Sequence, residues 1–162
     1  MQRDAVPIQF GHNLSGAAEI ETHLTACSDR FIPPLAGRVI IPDYAAKLAQ
    51  RAERFEAWSA DTLVGLVAVY CPAATPARGP DAEARRPPGD AFVSNVSVLP
   101  SYSNRGIARE LLAKATAYSR TRAVRIVLEV DRRAPALRLY EASGFAVEAV
   151  DGDTLTLARL LA

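Results

Sequence analysis

The 162-residue chain is poor in the residues from which metal and redox sites are built, with only two cysteines and two histidines, and it has a single methionine and a single tryptophan. Cys27 and Cys71 stand far apart and join no C-x-x-C pair and no cluster of His and Asp. That excludes a disulfide framework, gives no metal site, and makes buried free thiols the expectation. Net charge is nearly absent as well, +1 from 19 basic and 18 acidic side chains. A broad electrostatic grip on nucleic acid or an anionic membrane is therefore not expected. No window approaches 18 uninterrupted apolar residues, and the stretch from Met1 to Pro7 has no apolar core. Neither a membrane-spanning helix nor a secretory leader is indicated, and a soluble cytoplasmic protein is expected.

What is present suits one globular domain over residues 1–162: 49% hydrophobic and 23% charged residues, enough to bury a core without metal or disulfides. The neutral total hides an asymmetry. From Ser101 to Arg138 nine basic residues face three acidic ones (Glu110, Glu129, Asp131), a balance of +6 against −5 elsewhere. A local excess of this kind suits a small anionic ligand, and equally the solvated faces of a helix and a loop.

Periodicity orders the chain. Ala17, Ile20, Leu24 and Cys27 share a helical face behind Ser15 as N-cap. The tandem prolines of Phe31-Ile-Pro-Pro-Leu end that helix in a loop. Pro42 opens a second helix with an apolar stripe of Ala45, Leu48, Ala49, Ala52 and Phe55. Phe55–Ser59 and Leu63–Tyr70 read as a β-hairpin. Residues 71–90 hold five prolines and read as an irregular excursion. Ala91–Val98 is a strand, Ile107 to about Thr121 a helix, and Val124–Val130 an alternating strand. A short helix follows Pro135 and stops at Gly144, and two strands close the chain. Strand, helix, strand in the middle implies parallel neighbours with a right-handed crossover.

The stretch Val96-Ser-Val-Leu-Pro-Ser-Tyr-Ser-Asn-Arg-Gly-Ile-Ala carries the chemistry. A strand ends, a polar turn with one glycine follows, and an amphipathic helix starts there. Free N–H groups at a helix start, reinforced by its dipole, make an anion site that a pyrophosphate would fit. The turn is neither a P-loop nor G-x-G-x-x-G. A second constellation, Leu139-Tyr-Glu-Ala-Ser-Gly-Phe, lies one strand and one helix further on.

Together the two segments resemble the signatures of the GNAT superfamily of acyl-CoA-dependent N-acyltransferases, over about Leu63 to Phe145. The first, R/Q-x-x-G-x-G/A behind V-x-P-x-Y, falls on Val98–Ala108; the second, L-Y-x-x-x-G-F, on Leu139–Phe145. Ser103 stands where the family usually has Arg or Gln. Arg133 stands where many members have an Asn that touches the cofactor, so that contact is not carried over. The only candidate for the family's first strand is Val6–Phe10, short and containing Pro7, which leaves the sheet edge in doubt.

The resemblance implies an α/β (α+β) fold, a mixed, twisted, mostly antiparallel sheet with a parallel βαβ core flanked by helices. It implies acetyl-CoA as cosubstrate, without metal, held by backbone groups at Val96, Ser97 and Val98. The pyrophosphate would lie on Ser103, Asn104, Arg105, Gly106, Ile107 and Ala108. It also implies direct attack by a primary amine, with Tyr140 as the proton donor to the leaving thiolate. Glu129 is the candidate base, although Arg125 or Arg132 could equally pair with it. Asn95 and Ser97 alternate with Val96 and Val98, have no basic group and could order a water; His23, a lone helical histidine, is expected to be structural or exposed. On the acceptor side Arg30, Phe31, Arg38, Tyr44 and Asn95 suit a small polar or anionic amine, an amino sugar first. Protein or peptide N-acetylation and a silent acyl-CoA-binding module are the alternatives, and a homodimer is left open.

Overall fold

The computed structural model describes residues 6–72 and 89–161. The proline-rich stretch 71–90, expected to be irregular, lies outside the described residues except at its two ends. Among the described residues seven strands form one sheet: β1 (Ile8–His12), β2 (Glu53–Ser59), β3 (Thr62–Tyr70), β4 (Asp90–Val98), β5 (Arg125–Asp131), β6 (Ala146–Asp151) and β7 (Thr154–Leu160). Their order across the sheet is β1-β2-β3-β4-β5-β7-β6, and every neighbouring pair is antiparallel except β4 and β5. The helices are α1 (Ala17–Cys27), α2 (Ile41–Arg51), α3 (Ile107–Ser119) and α4 (Leu137–Ala142). The mixed, mostly antiparallel architecture is the one the family resemblance implies. Among the described residues no helix is long and apolar enough to cross a membrane.

One open point is decided and two local expectations are corrected. The edge strand left in doubt exists: β1 starts at Ile8, just after Pro7, and pairs with β2 from Ile8↔Ser59 to His12↔Phe55. Pro7 thus precedes the ladder, where its missing N–H costs nothing. Phe55 does not belong to the α2 stripe. That helix ends at Arg51, and Phe55 is a buried β2 residue stacked on His12 at 4.6 Å. Ser15 is not the N-cap of α1; Gly16 is, with its N–H bonded to Glu19 Oε1 at 2.9 Å.

Ser15 has other work, and so do its neighbours. Glu56, fully buried, accepts hydrogen bonds from the backbone N–H of Leu14 (3.0 Å) and of Ser15 (2.8 Å), and from the Ser15 hydroxyl. Two residues earlier on the same face of β2, Arg54 is also buried. It donates to the carbonyls of Leu48, Ala49 and Ala52 at the end of α2 and to Ser15 O. Its Nε stands 3.8 Å from Glu56. One desolvated ion pair thus ties the entrance of α1 and the exit of α2 to the sheet, with nearly every polar atom satisfied.

The sheet has two covered faces. Leu63, Leu66 and Ala68 of β3 pack against α1 and α2 with Ile20, Leu24, Ala45 and Leu48. Val64, Val67 and Val69 pack on the other side with α3 residues Ile107, Leu111, Leu112 and Ala115. Gly65 lets α3 come close, since a Cβ there would stand 2.8 Å from Ile107 Cγ2. Glu56→Ala, which strands a buried guanidinium, is expected to cost about 3 kcal/mol or more of stability, read by chemical denaturation.

Candidate functional site

β4 and β5 share hydrogen bonds only from Asp90↔Arg125 to Val93↔Leu128. Past that point β4 stays paired with β3 and β5 stays paired with β7, so the two parallel strands part like a fork. The parting coincides with a one-residue bulge: Val93 pairs with Val69 but Asn95 with Ala68, leaving Ser94 over. Tyr44 of α2 seats that bulge, its hydroxyl bonded to Ser94 O at 3.0 Å and to Ser94 Oγ at 2.7 Å.

A cavity of about 770 Å³ fills the fork. It is lined by Ser94–Val98 of β4, Leu128–Asp131 of β5, the turn and first residues of α3, Leu139 and Tyr140 of α4, and Asp29–Ile32 with Arg38 between α1 and α2. Among the described residues no group of acidic, His and Cys side chains could hold a metal ion.

The start of α3 is built for an anion. Its first backbone bond joins Glu110 N–H to Gly106 O, so the N–H groups of Ile107, Ala108 and Arg109 have no carbonyl a turn earlier to bond. Gly106 takes φ +77° to turn the chain into the helix, and among the described residues a Cβ there would meet nothing within 4 Å. The strain of a side chain would be conformational. Ser103, Asn104, Gly106, Ile107 and Ala108 all line the cavity.

Arg105 does not line it; its guanidinium lies 4.9 Å over the Tyr102 ring and donates to Ser101 O. Of the nine cations in the basic segment, Arg109 alone lines the cavity. Others are spent locally: Arg125 on Asp90 and Glu148, Arg132 on Asp153, Arg133 on Asp131, and Lys114 on Glu110. Four of the nine are thus paired with carboxylates, and the charge of the segment is not gathered at the cavity.

Tyr140 is buried, its ring edge-on to Phe145 at 6.3 Å, and burial pushes its phenol above the usual tyrosine range. Glu129 is exposed and lies on β5 beyond the fork point, at the cavity wall. Of the residues expected on the acceptor side, Arg30, Phe31 and Arg38 come together at the cavity, with the Arg38 guanidinium 5.7 Å over the Phe31 ring. Tyr44 is not with them; its hydroxyl is committed to Ser94.

His23 takes the structural of its two expected roles. It is buried on α1, with Nδ1 2.9 Å from Leu63 O and Nε2 2.9 Å from Ser97 Oγ. Ser97 Oγ in turn lies 2.8 Å from Asn95 Nδ2. Burial pushes the imidazole pKa down to about 4, so the ring is neutral at physiological pH. Nearby Cys27, 3.7 Å from Nε2, has its thiol pushed up to about 12 by burial and stays protonated. The sequence signal for His23 was its phase: it falls between Ile20 and Leu24 on the buried side of the helix. Arg109 was missed because the helix start was read only as far as Ala108.

Against known proteins, a sequence profile of the acetyltransferase (GNAT) family matches residues 19–145. Among solved structures, a protein assigned to the GNAT family of acetyltransferases from Desulfovibrio desulfuricans superposes with TM-score 0.73 at 20% identity, over 96% of this chain and all of that one. An acetyltransferase from Bacillus subtilis in complex with CoA gives 0.68 at 16% identity, over 96% and 100%. The ribosomal-protein-S18-alanine N-acetyltransferase from Escherichia coli gives 0.67 at 16% identity, over 96% and 95%. Identities this low speak for the fold alone. No curated protein sequence matches significantly.

Two outcomes test the site. Gly106→Ala forces a Cβ into a left-handed conformation costing about 1–2 kcal/mol; CoA affinity measured by calorimetry is expected to fall several-fold while the fold persists. For His23 the folded pKa lies below the unfolded value of 6.5. The unfolded chain therefore takes up the proton first as pH falls, and stability drops from about pH 6.5 towards 4. His23→Gln is expected to flatten the urea midpoint against pH in that window relative to the parent.

Proposed function

Because the chain belongs to the GNAT acetyltransferase family, we propose that it transfers acetyl from acetyl-CoA to the primary amine of a small polar molecule, with amino sugars first among the candidates. The observation that carries the reading is one continuous cavity that joins the start of α3, the β4–β5 fork, Tyr140 and the arginines between α1 and α2. The residues present fit the cosubstrate. Unpaired N–H groups at Ile107–Arg109 suit a pyrophosphate, and the Arg109 guanidinium adds charge. The open edge of β4 from Ser94 to Val98 offers backbone groups to an extended amide-bearing arm.

Bound acetyl-CoA supplies an acetyl thioester, whose acyl carbon bonds to the amine nitrogen as its bond to sulfur breaks. β4 backbone N–H groups at the fork edge stabilise negative charge on the acyl oxygen, being fixed before the reaction starts. Tyr140 holds a proton towards the departing sulfur. A thiol has a reference pKa near 8.5, well below a phenol raised above 10 by burial, so complete transfer from Tyr140 is uphill. The phenol acts best as a hydrogen-bond donor to the thiolate, and it stays protonated across the working pH range. The nitrogen gives up one proton as the amide forms. Glu129, exposed at the cavity wall, can take it and pass it to water.

Arg30 and Arg38 give the acceptor end positive charge, which favours an amine whose other substituents are hydroxyl, phosphate or carboxylate. The test is a panel of glucosamine, spermidine, amino acids and short peptides with acetyl-CoA, followed by free-thiol release. Turnover of the small polar amines is expected; turnover of peptides alone overturns the reading, as does tight CoA binding without turnover on the whole panel. Tyr140→Phe is expected to lower kcat about tenfold or more with CoA affinity nearly unchanged; an undiminished kcat removes Tyr140 from the chemistry.

A further inference from the structure

The hydrogen bonds on the α1 side of the fork are best satisfied in one direction. The Leu63 carbonyl has no proton to give, so His23 Nδ1, 2.9 Å away, must carry one. In the neutral ring Nε2 is then bare; the Cys27 thiol, a weak donor, stands 3.7 Å away, and the Ser97 hydroxyl at 2.9 Å donates to it. With its proton so committed, Ser97 Oγ accepts from Asn95 Nδ2 at 2.8 Å. The second Asn95 amide proton goes to the Leu66 carbonyl at 3.2 Å. Turning the amide over would set its oxygen against two groups that have no proton to offer. Asn95 Oδ1 is therefore held in place, and among the described residues it is buried without a hydrogen-bond partner, in a residue that lines the cavity. Buried polar atoms in this condition are uncommon, and one at a reaction cleft points to a ligand donor.

We propose that Asn95 Oδ1 receives an N–H of the amine being acetylated, and that His23, acting through Ser97, is the positioning residue that keeps this oxygen available. The inference deepens the amine-acetylation reading above and rests on it. A neutral amide oxygen suits the task chemically. A carboxylate at that depth would hold the substrate as an ammonium, whose lone pair is blocked by a proton. The amide oxygen takes one N–H of a neutral amine and leaves the lone pair free for the acyl carbon. A primary amine keeps its second N–H, the one lost as the amide forms.

The chain direction is read first, in the protein with CoA, by long-range ¹H–¹⁵N spectra of the imidazoles. His23 is expected to show a protonated Nδ1 and a bare Nε2; a proton on Nε2 overturns the inference. Kinetics read the consequence, with glucosamine or whichever panel amine reacts. Asn95→Leu is expected to raise the amine KM about tenfold or more, leaving the acetyl-CoA KM within about twofold. His23→Leu should show the same split. His23→Gln, which keeps a donor for Leu63 and an acceptor for Ser97, should restore the amine KM. If Asn95→Leu does not fold, Ser97→Ala cuts the same chain and is read the same way. Equal amine KM in parent, Asn95→Leu and His23→Leu overturns this inference alone, and so does a rise in acetyl-CoA KM that matches the rise for the amine. Turnover of no amine on the panel sinks the functional reading itself.

Discussion

The parting of two parallel strands is the constraint on which the rest of the molecule depends. β4 and β5 hold together for four residue pairs and then follow different partners, β3 on one side and β7 on the other. A sheet that opens in its middle exposes backbone N–H and C=O groups at a depth where loops would ordinarily have to supply polar side chains. It also makes the cavity a property of the scaffold. The walls are strands, the floor is the point where the ladder ends, and one end is the start of a helix. Gly65, by admitting α3 against β3, sets how close that start comes.

The electrostatics of the site follow from this economy. The chain is nearly neutral, Arg125, Arg132 and Arg133 of its basic segment are held by Asp90, Glu148, Asp153 and Asp131, and little of that segment's charge reaches the cavity. Backbone dipoles at the start of α3 take over, with Arg109 as the one cation of that segment at the cavity. On the opposite side of the sheet the buried Arg54–Glu56 pair spends its charge on holding α1 and α2 in register. That clamp keeps His23 and Tyr44 at their distances from β4, so the two helices are as much part of the site as the loop between them.

Much of this was readable from residues in order. The helix starting after Gly106, the strand before it and the Leu139–Phe145 segment announce themselves by spacing. Local signals suffice there, because a helix start needs only its own turn and its own apolar phase. Arg30, Phe31 and Arg38 were also identifiable, as a stiffened loop with charge. Tyr44 could not be separated from them, since whether its hydroxyl meets solvent, substrate or Ser94 depends on a strand fifty residues away. Arg105 beside the glycine looked like a phosphate ligand, and the nearby Tyr102 ring takes it instead. The β1 edge was doubtful because a five-residue strand after a proline has no periodicity of its own and forms by pairing with β2.

The amino-acid sequence by itself determined the fold class, the order of most elements, the family signatures and the place where an anion would sit. Only the tertiary structure decided which face of β4 each side chain takes. Strict alternation would put Ala91, Val93, Asn95 and Ser97 on one side of the sheet. The extra residue at Ser94 reverses the parity, so Ala91 and Val93 join the α3 core while Asn95 and Ser97 turn to α1 and meet His23. A bulge leaves almost no trace in composition, since it lies in the register of β4 against β3, and the Tyr44 hydroxyl that bonds the extra residue comes from a helix fifty residues earlier.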